Sequence, residues 1–366
     1  MLRRLTGLMA LALTLSGPAI AVAQTFPSPI VIAHRGSSGH RPEHTEAAYR
    51  LAVAQGADYI EADLVMTRDG VLVSRHENEI GRTTDVAAHP EFADRRVTRT
   101  IDGESFTGWF VEDFTLAELK TLGARERNPE QRRESAAHDG EQPVLSLAEI
   151  IAIAKEESRR RDRPVGLYIE LKNPGYHASI GLPMERALVD VLEREGLNDR
   201  DAPVIIQSFW PQALIALRPI TPVRLMFLIN SVAPPEELLR ANDIRAWSDV
   251  YSADGLKMIA GFADIVGPET ELIFPRDAEG RSLSVTALVA DAHAAGLQVH
   301  VWSVNAENLY LPLELRRGDP AEPGYDGRLG DAATLVRALA AAGVDGMFTD
   351  QPDIALAALG RRTSTP

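Results

Sequence analysis

The sequence contains no cysteine. That excludes disulfides, zinc ribbons, iron–sulfur centres and thiol nucleophiles together, and it leaves any metal site to oxygen and nitrogen ligands. Positive charge is also scarce. The chain carries 38 Lys and Arg against 52 Asp and Glu, a net charge of −14. A sequence-independent nucleic-acid binder needs the opposite sign. No long basic block exists to hold an anionic membrane surface. What remains is ordinary for a globular protein: 366 residues, 45% apolar and 25% charged. That length suits two domains or one (β/α) barrel. An anionic ligand would have to find a locally positive spot, a bound cation included.

Residues 1–23 are expected to be a secretory signal peptide. Arg3 and Arg4 form its positive start, Leu8 to Leu15 its apolar stretch, and Ala21-Val22-Ala23 a cleavage site before Gln24. Gly17 and Pro18 interrupt the apolar run, which falls short of the roughly 18 residues of a membrane span. The expectation is an exported protein, most simply periplasmic, with no stable membrane anchor once the signal is removed.

From residue 29 onward, short apolar runs alternate with amphipathic stretches. Strands are predicted at 29–33, 59–65, 166–170, 203–206, 223–229, 263–266, 298–302 and 345–348. Helices are predicted at 43–56, 146–160, 183–195, 211–218, 235–245, 284–295, 331–342 and 352–359. The strands are apolar on both faces, as a buried parallel sheet requires. Eight strand–helix units are the repeat of a TIM (β/α)8 barrel, which predicts an α/β fold with 24–366 as a single domain. One segment breaks the rhythm. Thr67-Arg68-Asp69-Gly70 is a turn, and Val71 to Arg75 follows too soon for a crossover helix, so it reads as a hairpin return. Residues 77–142 then read as an insertion after the second strand, with a helix pattern only at 115–122. Excursions of this length in compact domains are usually functional.

Candidate chemistry gathers at strand ends, which form the active face of a barrel. His34-Arg35-Gly36 follows the first strand and supplies a proton-transfer group and a permanent anion ligand. Glu61 and Asp63 are two apart, so both project from one face of the second strand while Ile60 and Leu64 project from the other. Two acids in an apolar strand are expensive unless paired or liganded. They suit a hard divalent cation, or a coupled acid/base pair. Glu170 and Lys172 repeat the arrangement on the third barrel strand. Glu170 adds a third carboxylate, and Lys172 offers either an anion contact or an ion pair. His76 follows the hairpin return among polar neighbours. Gln207, Phe209, Trp302 and Asn305 end later strands and are candidates to line a pocket.

These pieces carry a family resemblance. His34-Arg35-Gly36, Pro42-Glu43-His44-Thr45, Glu61-Ala62-Asp63 with Thr67-Arg68-Asp69-Gly70, His76, Glu170-Leu171-Lys172, Gln207-Ser208-Phe209, Trp302-Ser303-Val304-Asn305 and Gly343 to Asp350 run in order from residue 30 to 353. Together they resemble the glycerophosphodiester phosphodiesterase family, its periplasmic branch most closely. The resemblance implies a TIM barrel hydrolysing glycerophosphodiesters to glycerol 3-phosphate and an alcohol such as choline, ethanolamine or glycerol. It implies one divalent cation held by Glu61, Asp63 and Glu170, Ca²⁺ ahead of Mg²⁺. It makes His34 and His76 the acid/base pair, with His34 favoured as base. Arg35 and Lys172 would hold the phosphate, with Gln207 and Trp302 also binding substrate. Two positions depart from the common pattern: His44 stands where many members have Asn, and Glu77 follows His76 where most have Asp. The attacking group, water or the neighbouring glycerol hydroxyl, stays open. The rival readings are a different phosphodiester substrate, a binding protein without turnover, and an interaction protein using its insertion.

Overall fold

The computed structural model describes residues 27–232 and 247–361. The leader at 1–23 and the helix expected at 235–245 lie outside the described residues. Eleven strands are present among them: β1 (Ile30–Ala33), β2 (Tyr59–Met66), β3 (Leu72–Ser74), β4 (Val97–Ile101), β5 (Glu104–Gly108), β6 (Gly166–Leu171), β7 (Val204–Ser208), β8 (Arg224–Ile229), β9 (Ile265–Pro268), β10 (Gln298–Val304) and β11 (Gly346–Thr349). Eight of them, β1, β2 and β6 to β11, form a parallel sheet that closes on itself through β1 and β2. This is the expected TIM barrel, and its eight strands fall where the sequence placed them.

Alternation divides each strand between two cores. Ile60, Ala62, Leu64, Leu167, Ile169 and Leu171 point outward into the layer shared with the helices. Tyr59, Tyr168, Ile205, Met226, Leu228 and Phe348 fill the barrel interior. There the Tyr168 hydroxyl lies 2.5 Å from His300 Nδ1, and its ring packs edge-on against Phe348 at 4.9 Å. Burial pushes His300 down to about 3. It is therefore a neutral core histidine. The helices begin where caps are available. Thr45 caps Glu46–Gln55 by accepting from Ala48 N–H, and Ser146 forms a capping box with Glu149 at the start of Leu147–Arg161.

β2 is longer than its barrel neighbours need. Its first residues pair with β1, which then turns away at His34. Its last three, Leu64 to Met66, pair antiparallel with β3, so Val71 to Arg75 is the expected hairpin return. The insertion grows from this rim. The antiparallel hairpin β4–β5 had no counterpart in the sequence reading; its strands are polar and largely exposed, without the alternation that marks a half-buried strand. The helix expected at 115–122 is present only as Leu116–Leu119. Val65 of β2 and Val73 of β3 join Ile80, Phe92, Val111 and Phe114 in a small core of their own, which fastens the insertion to the strand carrying Glu61 and Asp63.

Candidate active site

Strand register brings the acids together. In the parallel pairing Asp63 lies across from Glu170, and Glu170 across from Gln207. Paired residues of adjacent strands share a face, so these side chains and Glu61 form a polar layer above the aromatic plug. One oxygen from each of Glu61, Asp63 and Glu170 lies within 4.8 Å of the others, and all three residues are buried. Gln207 Nε2 donates to Glu61 at 3.3 Å and to Glu170 at 3.4 Å, while its Oε1 has no partner. Burial, reinforced by Asp63 and Glu170, pushes Glu61 well above the usual carboxylate range. Burial also dominates at Glu170, which reaches about 8 against the pull of Lys172. Asp63 is the counterexample: burial works upward, but Lys172 and Arg35 outweigh it and keep Asp63 ionised. Three buried hard oxygen donors at this close spacing fit a Ca²⁺- or Mg²⁺-type ion.

The positive groups surround this layer. The Arg35 backbone N–H donates to Glu61 at 2.7 Å, its Nη1 donates to Glu43 at 3.0 Å, and its Nε lies 3.2 Å from Asp63. The motif's backbone is demanding. Arg35 sits at φ 59°, and a Cβ on Gly36 (φ 84°) would lie 2.7 Å from the Ala48 carbonyl carbon, so glycine is required there. Lys172 Nζ donates to Glu170 at 2.8 Å and stands 5.7 Å above the Phe209 ring. It thus makes the ion pair and still lines the cavity. His44, one of the two departures, is fully buried behind Asp63, with Nε2 3.0 Å from its carboxylate and Nδ1 3.0 Å from the Tyr49 hydroxyl.

Both candidate histidines are held by a carboxylate at Nδ1. His34 Nδ1 is 2.6 Å from Asp350, and His76 Nδ1 is 2.6 Å from Glu77. Such pairing fixes the ring and leaves Nε2 as the other functional nitrogen. Burial together with Arg35 and Lys172 keeps His76 below the ordinary histidine range. Around these groups lies a cavity of about 480 Å³. It is lined by His34, Arg35, Glu61, His76, Glu170, Lys172, Gln207 and Trp302, with Phe209, Phe348 and Tyr310 supplying apolar wall. Every residue singled out in the sequence therefore meets in one place, Asp63 through the acid cluster. Trp302 also has a packing role: its Nε1 donates to the Gly267 carbonyl at 2.8 Å and its ring meets Phe209 edge-on at 5.3 Å.

Four charged residues of the site were not recognised in the sequence. Asp350, the last residue of the quoted Gly343 to Asp350, directly follows β11 as Lys172 follows β6, so the strand-end rule was available for it. It bonds both His34 and Arg132. Burial works upward on Asp350, but Arg132 and His34 hold it below the usual carboxylate range. Arg132 also reaches Glu307 at 2.6 Å. Arg127 bridges Glu43 (2.6 Å) and Glu77 (2.5 Å). Both arginines come from the insertion, where no periodic signal marked them. Glu43, within the quoted Pro42-Glu43-His44-Thr45, is the joint between Arg127 and Arg35.

The glycerophosphoryl diester phosphodiesterase family model matches residues 34–354. A glycerophosphodiester phosphodiesterase of Arabidopsis thaliana is 35% identical over 334 residues, covering 88% of this chain and 83% of the relative. Among solved structures, one from Silicibacter pomeroyi is similar with a TM-score of 0.63 at 22% identity, covering 93% of this chain and 97% of its own. An Oleispira antarctica phosphodiesterase solved with the product sn-glycerol-3-phosphate is similar with a TM-score of 0.56 at 22% identity, over 91% and 97% of the two chains. At such identities the structural likeness is one of fold.

Proposed function

The chain belongs to the glycerophosphoryl diester phosphodiesterase family and is a phosphoric diester hydrolase, and on that premise we propose that it cleaves glycerophosphodiesters to glycerol 3-phosphate and an alcohol, using His34 and His76 for proton transfer and one divalent cation at the acid cluster. The observation that carries this reading is the placement of three buried carboxylates, two cationic side chains and two carboxylate-backed histidines around one cavity at the strand ends.

Glu61, Asp63 and Glu170 would hold the cation, with Ca²⁺ favoured over Mg²⁺. When bound, it supplies Lewis-acid stabilisation of phosphoryl oxygens. Arg35 and Lys172 seat the phosphate by charge-assisted hydrogen bonds, Arg35 through a planar fork and Lys172 as a point charge. The Phe209–Trp302 pair and Gln207 border the space for the glycerol end. His34, oriented by Asp350, takes the proton from the attacking group, either water or the neighbouring glycerol hydroxyl; in the second case water then opens the resulting cyclic phosphate to glycerol 3-phosphate. His76, oriented by Glu77, delivers a proton to the departing alcohol oxygen. A phosphate anion seated on Arg35 and Lys172 opposes two of the causes that keep His76 unprotonated, so proton uptake by His76 is coupled to substrate binding. Export to the periplasm is part of the same proposal; Arg3, Arg4 and Ala21-Val22-Ala23 support it, and no helix among the described residues is long and apolar enough to cross a membrane.

The test incubates purified protein with the choline, ethanolamine and glycerol diesters of glycerol 3-phosphate and assays released glycerol 3-phosphate. Chelation should abolish release, and added Ca²⁺ or Mg²⁺ should restore it. No release from any diester with either cation refutes the reading. Full activity after exhaustive chelation refutes the cation's part in it.

A further inference from the structure

A carboxylate fixes a histidine ring only when the carboxylate is itself fixed. Both histidines of the site meet this condition in the same way. Asp350 offers one oxygen to His34 Nδ1 at 2.6 Å, and the other accepts from Arg132 Nη2. Glu77 accepts from Arg127 through both oxygens, from Nη1 at 2.5 Å and from Nη2 at 2.6 Å, and the first of these oxygens is the one 2.6 Å from His76 Nδ1. Each histidine thus ends an arginine–carboxylate–imidazole chain. Arginine suits the far end: its charge is permanent, and its planar fork sets the plane of a carboxylate as well as its place. The need is greater at Glu77. Its side chain is 35% exposed against 5% for Asp350, so packing does little to hold it. It is also one torsion longer than an aspartate, and a freely turning side chain costs entropy to align.

The two arginines come from one short piece of the insertion. The Gln131 and Arg132 N–H groups both donate to the Asn128 carbonyl, at 3.1 and 2.9 Å, and close a turn between them. Buried Glu126 braces that turn, accepting from Asn128 N–H at 2.8 Å and from Ser135 Oγ at 2.5 Å. Arg127, Asn128 and Arg132 all line the catalytic cavity. Further contacts pin the turn to the barrel. Arg127 donates to Glu43 from Nε at 3.0 Å and from Nη2 at 2.6 Å. Arg132 donates from Nε to Glu307 at 2.6 Å and from Nη1 to the Ser38 carbonyl at 3.1 Å. The Ser38 hydroxyl in turn donates to the His34 carbonyl at 2.7 Å. Arg132 therefore holds the stretch of chain that carries His34 as well as the carboxylate behind its ring.

We propose that the turn at 127–132 positions both proton-transfer histidines, Arg127 acting on His76 through Glu77 and Arg132 acting on His34 through Asp350. The inference rests on the hydrolase reading above and deepens it, because it gives the insertion a task in the chemical step. Both arginines are positioning residues: each acts through a carboxylate on a ring, at one remove from the reacting atoms. Since one turn carries both, its displacement would disorient the two histidines together.

The experiment measures kcat on the choline and p-nitrophenyl esters of glycerol 3-phosphate for Arg127→Gln and Arg132→Gln in the full-length protein, each alone and combined with His76→Ala or His34→Ala. The p-nitrophenyl group leaves without a proton, so its ester reports the site without its acid. A misplaced proton-transfer group costs on the order of 10²-fold. Arg127→Gln should lose about 10²-fold on the choline ester and less than about tenfold on the p-nitrophenyl ester. Arg127 also meets Glu43, and through it Arg35; a cost by that branch falls on both esters and leaves their ratio unchanged, as does misfolded protein. Arg132→Gln should lose about 10²-fold on both esters. Residues that act as one unit are not additive. In the His76→Ala background Arg127→Gln should therefore leave the ratio of the two esters unchanged, and in the His34→Ala background Arg132→Gln should cost less than about threefold. A fold defect would persist in either background. Equal losses on the two esters in Arg127→Gln, an Arg132→Gln effect undiminished without His34, or wild-type kcat in both arginine variants would overturn the proposal and leave the hydrolase reading intact. A wild-type protein that cleaves neither ester removes that reading, and the positioning role with it.

Discussion

Replacing His76 with alanine separates proton donation from every other function of the site. The fold should tolerate the change: the His76 side chain is 29% exposed, and its ring bonds the neighbouring Glu77. Once a cation at Glu61, Asp63 and Glu170 has displaced their protons, the loss of His76 leaves the cavity without a carboxylic acid to donate in its place. Lys172 is held above its ordinary range by Glu170 and Asp63, which outweigh its burial. Arg35 is raised further in the same manner by Glu43 and Asp63. Neither gives up a proton readily, so the alkoxide of an ordinary alcohol would have to leave unassisted. General acid catalysis is worth about 10²–10⁴-fold. With no substitute donor the upper part of that range applies, roughly 10³–10⁴-fold, or about 4–5.5 kcal/mol on the barrier. The p-nitrophenyl ester of glycerol 3-phosphate changes the demand, because p-nitrophenolate leaves without a proton. On that ester the variant should lose less than about tenfold. His34→Ala, which removes the proposed base, should lose activity on both. The assay is kcat on the choline and p-nitrophenyl esters for wild type and both variants, with Ca²⁺ affinity by calorimetry as the control. Equal losses on the two esters in His76→Ala would refute its role as acid.

Other expectations follow from the same contacts. Glu61→Gln and Asp63→Asn should each weaken Ca²⁺ binding by about 100-fold or more; unchanged calorimetric affinity in both would remove the cation assignment. Asp350→Asn should lower kcat by about 10²–10⁴-fold with KM little changed, because His34 loses the carboxylate that sets its orientation and tautomer; activity close to wild type would contradict that role. The same variant bears on pH. A carboxylate held low in the fold stabilises it above the unfolded-state value of about 4 and loses that contribution as pH falls through the folded value, so the wild-type urea midpoint should fall in acid more steeply than that of Asp350→Asn. At the opposite end of the barrel, fully buried Asp58 accepts from Val31 N–H and from Arg361 at 2.6 Å. Asp58→Ala should cost about 3–5 kcal/mol of stability by stranding that network, measured by urea unfolding, while the kcat of the folded fraction stays near wild type.

The barrel and its acids were legible because their determinants are local. The strands are short apolar runs between amphipathic helices, and the two-residue spacing of Glu61 and Asp63 against Ile60 and Leu64 fixes their faces before any partner is known. Glu170 was found by the same periodicity. Arg127 and Arg132 were not, since their positions depend on how a largely polar insertion packs on Val65 and Val73. Nothing within their own segment announces that. The hairpin β4–β5 escaped for a related reason: with most of its side chains exposed, it has no buried face to impose a pattern. Trp302 shows the converse limit. Its position at a strand end was readable, but its bond to Gly267 and its contact with Phe209 required the neighbouring strands.

The contacts of Asp350 have a consequence for when activity can arise. One of its oxygens meets His34, 316 residues earlier, and the other meets Arg132, 218 residues earlier. The last barrel strand therefore completes the setting of a histidine at the end of the first, and holds the insertion in the same joint. A chain still being made, or one cut before β11, can contain every acid of the cation cluster and still lack an oriented His34. With His34 as the proposed base, activity requires the C-terminal strand to close the ring, and the onset of activity would serve as a direct readout of that closure.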